Sequence, residues 1–120
     1  MSHTIKITDI PMKDMKTLRA AVARIEGAAI SEGHGPVKLY GGDVLAVAAI
    51  RLPGWRYPVA VAADGSLSYD NYHGHWGDEK QLKALKQFYS VETAKRLAKM
   101  QGYTTREKKK GTAIVLELTR

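Results

Sequence analysis

The sequence predicts an α+β fold in which one antiparallel sheet is covered on one face by helices, in the order β-α-β-β-β-α-β-β, a ferredoxin-like or related sandwich. Three observations carry this. Apolar residues alternate with polar ones near both ends of the chain, at Ile5 and Ile7 and again at Ile114, Leu116 and Leu118. Between them Met12, Met15, Leu18, Val22 and Ile25 recur at the three-and-four spacing of a helical stripe. The middle is a series of short apolar runs punctuated by Gly41-Gly42-Asp43, Pro53-Gly54 and Asp64-Gly65. A chain of 120 residues holds one domain, 1–120, with a single core.

Taken in order, residues 4–8 read as a half-buried strand. A helix follows from Pro11, a residue suited to a first helical position, and Gly27 is suited to stop it. Residues 28–36, with Gly33, Gly35 and Pro36, read as a loop leading into a short run at 37–40. Residues 44–52 are apolar at nearly every position, which predicts a strand in mid-sheet with both faces covered. Residues 57–62 form a further strand, and Asp64-Gly65 supplies the tight turn before 66–69 pairs back. Three to four antiparallel strands therefore follow the first helix.

Asp78 suits an N-cap, with Gln81 three residues on. Leu82, Leu85 and Tyr89 make one stripe, which Leu97 and Met100 would continue, and Gly102 closes the helical region. Ser90 is also a capping residue, so one bent helix and two separate ones both fit. Residues 103–107 and 112–119 flank Lys108-Lys109-Lys110-Gly111, which predicts a closing hairpin with the lysines in its turn.

Charge is unevenly spread. The whole chain carries +7, while residues 80–110 hold ten bases against two acids, +8, and leave the remainder at −1. A basic C-terminal third points to an anionic partner, whether a nucleic acid, an acidic protein or a phosphorylated small molecule. With no cysteine, disulfides, thiolate metal sites and cysteine nucleophiles are excluded. No basic start followed by an apolar run and no stretch of eighteen apolar residues occurs, so the expectation is a soluble, cytoplasmic protein without membrane attachment.

Residues 69–78, YDNYHGHWGD, concentrate the unusual side chains. His73 and His75 form a His-x-His pair that, if extended, projects to one side, with Asp70 and Asp78 as oxygen ligands for a divalent ion and His3 or His34 as further imidazoles. The competing reading makes these histidines polar surface and the aromatics cover for a sheet edge. Tyr69, Tyr72 and Trp76 also suit a stacking platform for bases, with phosphate contacts from Lys95, Arg96, Lys99, Arg106, Lys108, Lys109 and Lys110. Gly33-His34-Gly35 and Gly41-Gly42 lack the spacing and lysine of a phosphate loop. Ser31, Ser66, Ser68 and Ser90 stand in no Gly-x-Ser-x-Gly setting. A binding module rather than an enzyme is the expectation, with no cofactor called for and, as alternatives, a small-ligand or metal-dependent site on residues 69–78 or an oligomeric structural subunit.

Several segments together resemble a known family: the Met1-Ser2-His3 start before a strand, the helix with Leu18, the Asp64-Gly65 hairpin, Ser90-Val91-Glu92, Gln101-Gly102-Tyr103, and Gly111 ahead of Ile114-Val115-Leu116. The chain resembles the domain-of-unknown-function family of the hypothetical chloroplast reading-frame type, found in cyanobacteria, plastids and phages. Tyr72-His73-Gly74-His75-Trp76 stands, with a different spelling, where that family carries a tryptophan-containing aromatic segment. The resemblance implies a small cytoplasmic α+β protein of bacterial or phage origin and assigns no reaction.

Overall fold

The computed structural model describes residues 11–120 and the backbone of strand β1 (Ile5–Ile7). Thr4 and Thr8, the flanks of the first expected strand, and His3 lie outside the described residues. The chain continues through α1 (Met15–Ala23), β2 (Ala29–Leu39), β3 (Gly42–Arg51), β4 (Val59–Val61), β5 (Leu67–Tyr69), α2 (Glu79–Met100), β6 (Thr104–Lys110) and β7 (Ala113–Thr119). The α+β class is as expected, and four strands stand between the helices where the expected order has three. The first sheet has the order β1-β5-β4-β3-β2 and is antiparallel throughout. Its last four strands form a meander, and β1 returns beside β5 at an edge, an order that differs from the split β-α-β arrangement of a ferredoxin-like sandwich.

Register explains why the helices share one face. Ala48 pairs with Val61 and Val61 with Leu67, while Ile50 pairs with Val59, so these side chains form rows on one side of the pleat. All five are buried together with Leu18, Ala21 and Val22 of α1 and Leu82, Leu85 and Tyr89 of α2. Asp14 caps α1 by accepting from the Thr17 N–H, and Met12 is pinned ahead of it by donating its N–H to the Gly65 carbonyl at 2.8 Å. Gly65 is needed there: its φ is +85°, and a Cβ would lie 2.5 Å from the Met12 nitrogen.

Two expectations about the first sheet are corrected. Residues 28–36 are not a loop, because β2 begins at Ala29 and runs to Leu39. A bulge between Glu32 and Gly35 absorbs one extra residue there, and an edge strand tolerates Pro36. The 44–52 run is not covered on both faces. Ala46, Ala48 and Ile50 are buried, but both helices sit on that side, and Leu45 on the other is 79% exposed.

Helix α2 is a single helix of 22 residues capped by Asp78, with Ser90 inside it. Leu97 and Met100 do not extend the buried stripe and face solvent. The second half of α2 meets α1 through polar contacts instead. The Tyr89 hydroxyl accepts the Asp14 N–H, and Arg96 donates to the Asp14 carboxylate and the Thr17 hydroxyl. Gly102, at φ +86°, donates to the Lys99 carbonyl and Tyr103 to that of Ala98, which turns the chain out of the helix.

Strands β6 and β7 form a separate two-stranded ribbon. Lys110 pairs with Ala113, leaving Gly111 and Thr112 as a two-residue turn whose first position has φ +60°. The lysines are therefore in a strand and not in the turn. Among the described residues no helix is long and apolar enough to cross a membrane.

Candidate nucleic-acid interface

Because the lysine run is a strand, its side chains divide between two faces. Arg106 stands opposite Glu117, Lys108 opposite Val115 and Lys110 opposite Ala113, all on one face of the ribbon. Glu107 opposite Leu116 and Lys109 opposite Ile114 occupy the other. The second face lies on the helices: Leu116 and Ile114 are half-buried, and the Gln87 amide donates to the Thr112 carbonyl at 2.8 Å. The first face is a row of exposed cations at every second residue, about 6.6 Å apart. Glu117 takes one of them, Lys108, in an ion pair at 2.5 Å.

The rest of the predicted basic set has a different occupation. Lys95 pairs with Glu92 at 3.5 Å and Glu107 at 3.2 Å, and Arg24 with Glu92 at 2.9 Å and Glu107 at 2.8 Å. These four residues form a half-buried network that fastens β6 to both helices. The Arg24 hydrogen bonds hold the Glu107 carboxyl below the ordinary range, and Glu107 in turn raises Arg24. Arg96 bonds Asp14, lowering that carboxyl. Lys95 and Arg96 are thus structural cations, while Lys99 is exposed beside Lys16 in a groove with Arg96 and Met100.

The aromatic residues also separate. Tyr69 is a core residue, edge-on to Trp55 at 5.7 Å, and burial pushes its phenol up. No base can stack on it. Tyr72 and Trp76 do belong to an accessible cluster. Their centroids lie 4.9 Å apart, with Tyr40 5.1 Å and Tyr57 5.6 Å from Trp76, and the Arg56 guanidinium lies 5.1 Å from the Trp76 ring centre. Tyr40 is 55% and Tyr72 38% exposed. Three connections meet here: the β2–β3 turn, the β3–β4 connection and the loop into α2. Tyr40, Arg56 and Tyr57 escape a reading of the sequence because they lie in two connections remote in the chain from residues 69–78.

The loop is built on a buried floor. Asp70 accepts the Gly41 N–H at 3.0 Å, tying the β2–β3 turn to this loop. Asn71 is buried, with its amide nitrogen 3.4 Å from the Gly77 carbonyl and from Glu79. Tyr72 and His73 follow with φ of 47° and 51°, in the left-handed region that residues with a Cβ rarely enter. This turn undoes the extended geometry on which the His-x-His metal reading rests. Asp70 is buried beneath the loop, and Asp78 caps α2 by accepting the Lys80 N–H at 2.9 Å. Among the described residues no three His, Asp or Glu side chains gather to hold a metal ion.

The ribbon turns back along α2, and its tip is held at Gln87, in a groove whose lining reaches Lys80. Comparison with known proteins adds no family to this geometry: no family model, curated protein or solved structure matches the chain.

Proposed function

We propose that the chain is a nucleic-acid-binding module, not an enzyme, that takes a single strand along the outer face of the β6–β7 ribbon. One observation carries the reading: Arg106, Lys108 and Lys110 share the exposed face of a ribbon whose other face is anchored on the helices. A strand spaces successive cations at about 6.6 Å, a pitch suited to consecutive phosphates. The loop cluster of Tyr40, Tyr72 and Trp76 with Arg56 supports a preference for unpaired bases, which stack on aromatic and guanidinium planes.

The test is fluorescence anisotropy of labelled single- and double-stranded DNA and RNA at several salt concentrations. Binding is expected to weaken steeply with salt. Changing Arg106, Lys108 and Lys110 together to Ala is expected to reduce the salt slope by about 2–3, the share of three phosphate contacts. An unchanged affinity and slope in a folded triple variant overturns the ribbon's role.

A second reading, a structural subunit, is favoured by the outer row of β3. Leu45 is 79% exposed, and Val47 and Ala49 beside it are only half-buried. Light scattering tests it: a stable dimer that Leu45→Lys dissociates supports it, and a monomer at all concentrations rejects it.

A further inference from the structure

The inward face of the ribbon meets α2 through matched charges at its root and through unmatched ones at its tip. Around Glu107, Arg24 and Lys95 face Glu92 and Glu107, two cations against two carboxylates. Toward the tip, Lys80 and Lys83 of α2 and Lys109 of β6 line one groove of about 620 Å³, and no acidic residue is among those lining it. Helix periodicity explains the first wall, since Lys80, Lys83, Ala84, Gln87 and Phe88 fall at i, i+3, i+4, i+7 and i+8 on one face. Strand pairing explains the second, where Lys109 and Ile114 are direct cross-strand partners on the inward row.

Two facing walls that carry three exposed lysines and no acidic lining residue leave a groove complementary to an anion. Phe88 and Ile114 give the same groove apolar surface. The Gln87–Thr112 hydrogen bond joins the walls. We propose that this groove binds a small phosphate-bearing molecule, with Lys80, Lys83 and Lys109 on its phosphate oxygens and Phe88 and Ile114 against its organic body. The site faces α2, away from the outward row of Arg106, Lys108 and Lys110, so it does not depend on the polymer-binding reading.

Isothermal titration calorimetry at low salt, with pyrophosphate and with ADP as probes, tests the assignment. Both probes are expected to bind at one site per chain. ADP binding tighter than pyrophosphate identifies a nucleotide-like ligand; equal affinities identify the free oxyanion. The Lys83→Gln, Lys109→Gln double variant is expected to lose at least tenfold in affinity. Its melting temperature without ligand should be equal or higher, because repulsion is removed, which also reports that it folds. The Arg106→Gln, Lys108→Gln variant, altered only on the outward face, should bind both probes as the native chain does. Absence of binding of either probe to the native protein, or undiminished binding in the folded double variant, overturns the proposal.

Discussion

The Arg24 guanidinium, just past the end of α1, holds the Glu107 carboxylate of β6 through two hydrogen bonds of 3.0 and 2.8 Å, joining residues 83 positions apart in the chain. This fork fixes the ribbon to a body with which it shares no sheet. Glu107→Gln keeps the shape and removes the charge, and is expected to cost about 1–2 kcal/mol. Hydrogen exchange should localise the loss to β6 and β7; uniform loss across the chain would refute the anchoring role.

The same carboxylate makes the anchorage pH-dependent. Its folded-state pKa lies below the ordinary glutamate value of about 4.3, so its contribution is fully present above that value and is lost as pH falls through the lowered one. Ribbon amides should therefore lose protection in acid before those of β3 and β4. Glu107→Gln should abolish that difference, and its persistence would assign the acid step to another group.

Gly77 is expected to accept no side chain. A Cβ there would lie 2.3 Å from the Trp55 ring, whose indole N–H donates to the Asp78 carbonyl at 3.2 Å. Gly77→Ala should destabilise by about 2–3 kcal/mol and alter tryptophan fluorescence by displacing that ring. A native-like melting curve and spectrum would contradict the packing.

The turn at Tyr72 and His73 stores backbone strain. Replacing His73 by Gly removes a left-handed penalty of about 1–2 kcal/mol and adds about 0.5–1 kcal/mol of chain entropy. A net gain of about 0.5–1 kcal/mol is expected in urea unfolding. A loss of stability would show that the His73 side chain holds the turn.

Leu85 and Leu97 have the same side chain on the same helix and opposite surroundings, one fully buried and one 54% exposed. Leu85→Ala should cost about 3 kcal/mol, within the range for a leucine in a closed core. Leu97→Ala should change stability by less than about 0.5 kcal/mol. Equal effects in thermal unfolding would mean that the second half of α2 is covered in solution.

What the sequence by itself determined is local. The three-and-four spacing marked both helices, Asp78 marked the start of α2, Gly102 its end, and Asp64-Gly65 the turn that seats Met12. These features rest on interactions spanning a few residues, so a linear reading reaches them. Only the tertiary structure decided which strand neighbours which, and with it the faces. The glycines and proline of residues 28–36 resemble a loop until β3 pairs with them across a bulge. The lysines of residues 108–110 resemble a turn until β7 pairs with them and sends Lys109 inward and its neighbours outward. Tyr40, Arg56 and Trp76 join only when three separate connections meet. A side-chain period of two makes the face depend on register, and register is set by residues distant in the chain.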